Sequence, residues 1–227
     1  MRLLGWILPA LVMFSAVGCT SHGNVPNPPG LNWGAPWGGS TPPKAPAVAH
    51  APTGQVHGSY TGSWPVAADG DWGVNNPRHW KYIVIHHSAT NNGNAATIDA
   101  AHKARGWKGL GYDFVINNGT GKGDGVVEVG FRWRQQMEGA HCGGTPGNEY
   151  NEAGIGICLV GDFTDHMPSR SQLASLNRLV CYLMDTYHIS ASNVIGHREA
   201  PNAHTECPGD TFYNYIRRDF RPSLSRR

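Results

Sequence analysis

One short apolar run constrains the fold more than any other stretch of the sequence. Tyr82 to Ile85 reads YIVI, and His86 and His87 follow it directly. An uninterrupted run of branched apolar side chains is typical of a buried strand. Successive strand side chains point to opposite faces, so at most one of the two histidines can face a given site. The run therefore predicts a buried strand that delivers one imidazole to a site at its end.

The segments around this strand predict a layered arrangement of strands and helices. A helix is expected over 169–188, because Ser169 and Gln172 have capping-box spacing and an apolar stripe follows. Two further strands face each other across the Gly-rich turn NGTGKGDG, which indicates a hairpin. The sequence thus predicts an α/β single domain with a central mixed β-sheet flanked by helices. The predicted strands cover 80–86, 112–117, 126–131, 155–160 and 193–195, and a second helix covers 94–105.

The N-terminal third of the chain has a different composition. Residues 1–19 have a positive start, an apolar run and a small-residue end, which is the pattern of a signal peptide with a possible lipobox ending at Cys19. Residues 20–73 are rich in Pro and Gly and cannot bury enough apolar surface to fold, so they are predicted to be a linker. The folded domain is expected over 74–222, with a basic tail at 223–227.

This organisation predicts where the protein acts. An exported protein is expected in the periplasm or cell envelope, with a possible lipid anchor to the membrane through Cys19; a plain signal peptide cut nearby is the alternative. The net charge of +2 and the pI near 8.3 give no basis for a nucleic-acid partner. A monomer is the default expectation.

A cluster of metal-binding residue types follows the last predicted strand. The stretch 196–210 reads GHREAPNAHTECPGD and contains His197, His204 and Cys207. Imidazole and thiolate bind zinc well, and a catalytic zinc takes three protein ligands and leaves a fourth position for water. A third ligand is expected from the pair at 86–87. If His204 were a fourth ligand, the site would be closed and structural.

Six motifs in order resemble one enzyme family. They are IVIHHSAT, HKARGWKGLGYDFVINNG, GVVEVG, GAHCGG, IGICLVGDF and IGHREA followed by TECPGD. From about Trp80 to Phe212 the chain resembles the zinc-dependent N-acetylmuramoyl-L-alanine amidases, a family shared by bacteriophage lysozyme-type amidases and peptidoglycan recognition proteins.

The resemblance implies a role for each matching residue. The zinc ligands would be His86, His197 and Cys207, although the interval from His197 to Cys207 is longer than in many members. Tyr112 would line the zinc site and Thr205 would assist the transition state. The same match implies roles for two further positions. Glu128 would orient the site or carry a proton, unless it is a strand residue facing solvent, and His141 would contact the muramyl peptide. His87 and His102 are expected to be structural.

These residues predict an enzyme acting on the cell wall. Zinc bound by two imidazoles and a thiolate can activate water for attack on an amide. The resemblance implies hydrolysis of the bond between N-acetylmuramic acid and L-alanine, with peptidoglycan or muropeptides as substrate. The alternative is a module that binds muropeptides without cutting them. Non-catalytic relatives typically lack the zinc thiolate, so Cys207 favours the enzyme.

Overall fold

The structure, a computed structural model, describes residues 72–225. Its five strands form a single sheet in the order β3-β2-β4-β1-β5. They are β1 (Tyr82–His87), β2 (Phe114–Ile116), β3 (Val127–Val129), β4 (Gly154–Leu159) and β5 (Val194–Gly196). β2 and β3 pair antiparallel, whereas every other pair is parallel. The predicted mixed sheet and its hairpin are therefore confirmed.

Helices flank the sheet as predicted, with some that the sequence did not reveal. They are α1 (Ala95–Ala104), α2 (Phe131–Gln135), α3 (Glu149–Glu152), α4 (Arg170–Tyr187), α5 (Asp210–Tyr215) and α6 (Arg221–Leu224). Capping boxes at Asn94 and Ser169 begin the two long helices, α1 and α4. A π-helical segment, Ile216–Phe220, joins α5 to α6.

The predicted strand over 126–131 ends earlier than expected. Its last paired residue is Val129, and the next residues turn into α2. Gly130 still donates its N–H to the carbonyl of Asp113 at 2.7 Å, and the fully buried Trp133 fixes the helix against the core. A helix of five residues is too short to show a helical period in the sequence.

The two faces of the sheet have different partners. Ile83 and Ile85 of β1 point to the back, where they join the main core with α4 and α5 residues such as Leu176 and Phe212. The alternate residues of β1 point to the front, where Val84 belongs to a small separate cluster. His86 shares this front face, which places it outside the main core.

Two buried residues lie just outside the expected domain range of 74–222. Trp72 is buried: its carbonyl accepts a hydrogen bond from Trp133 Nε1 at 2.9 Å, and its ring meets Tyr182 edge-on. At the other end Leu224 is 3% exposed and packs into the core. Trp72 and Leu224 therefore both belong to the core, each two positions outside the expected range.

The remaining N-terminal predictions lie outside the described residues. These are the signal peptide and lipobox at 1–19 and the linker up to residue 71, together with positions 226 and 227 of the tail. Between residues 72 and 225, the structure contains no helix that combines the length and the apolar character needed to cross a membrane.

Candidate metal centre

Two neighbouring parallel strands bring the first two candidate ligands together. Ile85 of β1 lies opposite Gly196 of β5, so His86 and His197 come next at the same end of the sheet. Their ring centroids are 4.5 Å apart, and both side chains are buried. The pairing register therefore places two imidazoles side by side without help from a loop.

The third candidate, Cys207, arrives on the loop after β5. Its carbonyl accepts the backbone N–H of Arg198 at 3.0 Å, which fastens the loop to the residue after His197. Its Sγ lies 3.6 Å from His86 Nδ1. One potential ligand atom from each of His86, His197 and Cys207 lies within 4.8 Å of the others. The structure thus brings together the three residues that the sequence predicted.

The electrostatics of this cluster fit a zinc ion. Burial lowers the pKa of His197 to about 4, and burial together with neighbouring imidazoles holds the pKa of His86 well below its usual range. Both rings are therefore neutral near pH 7, the form that binds metals. Cys207 Sγ accepts the backbone N–H of His87 at 3.4 Å, a contact that favours a thiolate. Neutral imidazoles and a thiolate are the donor set zinc prefers.

One buried atom in the cluster has no protein partner. Within residues 72–225, His197 Nδ1 is buried and makes no hydrogen bond. A buried polar atom without a partner costs roughly 1–3 kcal/mol, so it requires an explanation. A metal bound at this nitrogen would supply one.

The metal-ligand cluster leaves His204 outside. In the part of the chain that the structure describes, the candidate group contains three residues, and the His204 side chain is exposed on its loop. The closed four-ligand site that His204 would complete is therefore not supported. Three protein ligands leave a coordination position for water, as in catalytic zinc sites.

The two residues expected to assist catalysis flank the cluster. The ring of Tyr112 lies 5.1 Å from the ring of His86, centroid to centroid. Thr205 is half-buried, and its Oγ1 accepts the backbone N–H of Cys207 at 3.1 Å. An accepting hydroxyl still has its own hydrogen to donate. Both residues thus lie next to candidate metal ligands.

His141 is buried next to His86. Its side chain is 3% exposed, and its Nδ1 is 3.1 Å from His86 Nε2. The other ring nitrogen, Nε2, is 3.3 Å from the carbonyl oxygen of Gly154. Both ring nitrogens therefore face protein atoms, one of them on the candidate ligand His86, and the contact with the muramyl peptide stays a prediction.

Glu128 lies on the correct face of the sheet but too far from the metal ligands. The register runs from Glu128 through Val115 and Cys158 to His86, three strand spacings or about 14 Å. The carboxylate accepts the N–H of Ala95 at 2.8 Å, at the start of α1. It also contacts Asn117 and Lys122, and these bonds outweigh burial and lower its pKa. These contacts support a structural role and give no support to proton transfer.

His87 and His102 have the structural environments expected of them. His87 Nδ1 accepts the backbone N–H of Phe163 at 3.3 Å. His102 Nδ1 accepts the N–H of Gly111 at 3.0 Å, next to Tyr112. Burial lowers the pKa of each to about 4. Both rings are therefore neutral acceptors that hold backbone near the site.

Sequence reasoning missed two residues that hold the site in place. Arg198 pairs with Asp210 at 2.6 Å and also contacts the carbonyl oxygens of Glu206 and Cys207. Asn151 accepts the backbone N–H groups of His141 and Cys142 through its Oδ1, each at 2.8 Å. The position of Arg198 directly after His197 could have indicated a role at the site. Nothing near Asn151 in the sequence indicates its role.

Comparison with known proteins identifies a family. A family profile described as N-acetylmuramoyl-L-alanine amidase matches residues 76–210. The chain is 35% identical to the endolysin of Escherichia phage T7 over 135 residues, covering 56% of this chain and 78% of the endolysin. It is 29% identical to peptidoglycan-recognition protein LB of Drosophila melanogaster over 164 residues, 64% of this chain and 65% of the relative. The chain thus spans less than two thirds of that relative's length.

Comparison of the fold with solved structures finds members of the same family. The structure resembles that of the N-acetylmuramoyl-L-alanine amidase LysC from Clostridium intestinale, with a TM-score of 0.50 and 34% sequence identity. The match covers 61% of this chain and 83% of the other. Relatives therefore include proteins named for amide hydrolysis and proteins named for peptidoglycan recognition.

Proposed function

Because the chain belongs to the N-acetylmuramoyl-L-alanine amidase family, we propose that it is a zinc-dependent hydrolase of the amide bond between N-acetylmuramic acid and L-alanine in peptidoglycan. The observation that carries the proposal is the cluster of His86, His197 and Cys207, whose potential ligand atoms lie within 4.8 Å of one another. A site that served only to bind muropeptide would not need this buried donor set. The thiolate in particular supports a metal enzyme.

The cluster can supply the chemistry that amide hydrolysis requires. When bound, zinc acts as a Lewis acid and lowers the pKa of a bound water toward ~7. His86, His197 and Cys207 would hold the metal, and three protein ligands would leave a fourth coordination position for water. The protein must then stabilise the negative charge that develops on the amide oxygen, since each well-placed donor contributes ~3 kcal/mol to that stabilisation.

Thr205 and Tyr112 are the donors we assign to that oxygen. Thr205 Oγ1 is tied to the backbone of Cys207, so its hydroxyl is held two residues from a metal ligand with its hydrogen available. Tyr112 lies two residues before β2, and its ring packs against the ring of His86. The two residues therefore lie next to different candidate ligands, Tyr112 beside His86 and Thr205 beside Cys207.

The decisive test is whether the chain releases stem peptides. Muropeptides would be incubated with the zinc-loaded full chain and, in parallel, with chain stripped by a chelator, and the products analysed by mass spectrometry. We expect free peptides beginning with L-alanine only in the zinc-loaded sample. Muropeptides that bind but stay intact in both samples would instead indicate a recognition module.

Replacing Thr205 with alanine should slow the reaction without removing the metal. Loss of one oxyanion donor typically lowers kcat by ~10²-fold or more. Thr205→Ser keeps the hydroxyl and its bond to the Cys207 N–H, so it should restore most of the rate. Zinc content would be measured beside kcat for each variant. An unchanged kcat in Thr205→Ala would remove Thr205 from the mechanism.

A further inference from the structure

His86 has a different neighbour at each ring nitrogen. Nδ1 lies 3.6 Å from Cys207 Sγ, on the side of the metal-ligand cluster. Nε2 lies 3.1 Å from His141 Nδ1, in the interior. His86 therefore reaches the metal through Nδ1, while the far side of its ring rests on a second imidazole.

A row of hydrogen bonds runs from His86 through His141 to the Gly154 carbonyl, and this carbonyl sets their direction. The last group is the Gly154 carbonyl oxygen, which can only accept, so His141 Nε2 must carry the hydrogen. In a neutral imidazole the other nitrogen, Nδ1, is then an acceptor. It accepts from His86 Nε2–H, which leaves the lone pair of His86 on Nδ1, where the metal-ligand cluster lies. One backbone carbonyl thus fixes two tautomers in succession.

The fold holds the His141 ring tightly in this position. Asn151 Oδ1 accepts the backbone N–H of His141, and the Asn151 carbonyl accepts that of Gly139, both at 2.8 Å. Two glycines make room for the ring: a Cβ at Gly156 would lie 2.7 Å from its Cγ, and one at Gly139 would lie 2.5 Å from its Nε2. Such approaches are far inside van der Waals contact. The His141 ring therefore fits into the slot beside Gly139 and Gly156 only because both positions lack a side chain.

We propose that His141 is a positioning residue of the metal centre, which fixes the tautomer and orientation of His86 through the chain from Gly154 O to His141 to His86. The inference rests on the proposed zinc site, but it concerns a residue that touches neither metal nor substrate. Partners that hold a metal-binding histidine in this way typically strengthen metal affinity by 10- to 100-fold. Gly156 contributes to this positioning because it leaves room for the His141 ring.

The test is the zinc affinity of the full chain, measured by competition with a chromophoric chelator. His141→Ala should weaken zinc binding by ~10- to 100-fold. His141→Asn can offer an amide oxygen near the position of Nδ1, and should recover a large part of the affinity. Gly156→Ala keeps every ligand and hydrogen-bonding side chain but fills the slot, and should weaken zinc binding in the same way. His166→Ala, at an exposed histidine, is the matched control and should leave the affinity unchanged.

Absorption spectra of the cobalt-substituted chain provide a second readout, because the visible bands report ligand geometry. We expect altered bands in His141→Ala and Gly156→Ala and native bands in His166→Ala. Urea unfolding of each metal-free variant shows whether it folds; if His141→Ala does not, the Asn and Gly156 variants carry the comparison. Native zinc affinity in His141→Ala with a raised KM would overturn the inference in favour of a substrate contact. A native chain that binds no zinc would instead refute the proposed function.

Discussion

Replacement of Cys207 by alanine is expected to abolish zinc binding and amide hydrolysis together. Cys207 is the only thiolate in the cluster of described candidate ligands, and its Sγ lies beside His86 Nδ1. Loss of a direct ligand should exceed the 10- to 100-fold effect of an outer partner, so zinc affinity should fall by more than ~10²-fold. Two neutral imidazoles would remain, too few to hold a catalytic zinc.

The measurement is zinc content by mass spectrometry of the purified full chain, beside stem-peptide release from muropeptides. Cys181→Ala is the matched control, because Cys181 is another buried cysteine but lies on α4, where its Sγ contacts Asn177. That variant should retain zinc and activity. An active, zinc-replete Cys207→Ala protein would refute the ligand set and, with it, the proposed mechanism.

The sheet and the clustering of His86, His197 and Cys207 could be predicted because their signals are local. An apolar run followed by His86 indicates both a buried strand and a side chain at its end. His197 comes directly after the short strand β5, and parallel pairing of β1 with β5 then places both imidazoles at one end of the sheet. Strand order could not be derived from such patterns, yet the sequence motifs resembled a family in which the same three residues meet.

Motif position alone did not predict the surroundings of Glu128 and His141. Glu128 shares a register line with His86, so it lies on the correct face, but two strands separate β3 from β1. His141 lies next to the ligands but is buried, which a motif in a Gly-rich loop does not reveal. A motif indicates the neighbourhood of a residue; distance across a sheet and depth below the surface depend on tertiary packing.

Another residue with no role expected from its motif is Asp113, a carboxyl buried beneath the site. Its side chain is 0% exposed, and Oδ2 accepts the N–H of Gly156 at 2.8 Å, beneath the His141 ring. Within residues 72–225, Oδ1 is buried and makes no hydrogen bond. Burial raises the pKa of Asp113 to about 7, although the Gly156 N–H and the charge of Arg132 oppose the increase. The folded protein therefore holds a proton here that the unfolded chain releases near pH 4.

Asp113→Asn should therefore gain stability relative to the native protein as the pH rises. Between pH 4 and 7 the folded native protein binds more protons than the unfolded chain, so its free energy of unfolding decreases with increasing pH. From pH 5 to pH 8 the Asp113 contribution is roughly 3 kcal/mol, and asparagine, which does not titrate, avoids this loss. Other titrating groups act alike in both proteins and cancel in the difference.

Urea unfolding of both proteins at pH 5 and pH 8 measures this change directly. The exposed Asp185→Asn variant controls for the altered net charge and should stay within ~0.5 kcal/mol of the native protein at both pH values. A difference between Asp113→Asn and native protein that does not change with pH would mean that Asp113 is ionised in the fold even at pH 5. Its charge would then need a stabilising partner beyond the Gly156 N–H. A difference that grows with pH would instead show that the folded chain holds Asp113 as a neutral carboxyl beside Gly156, under the His141 ring.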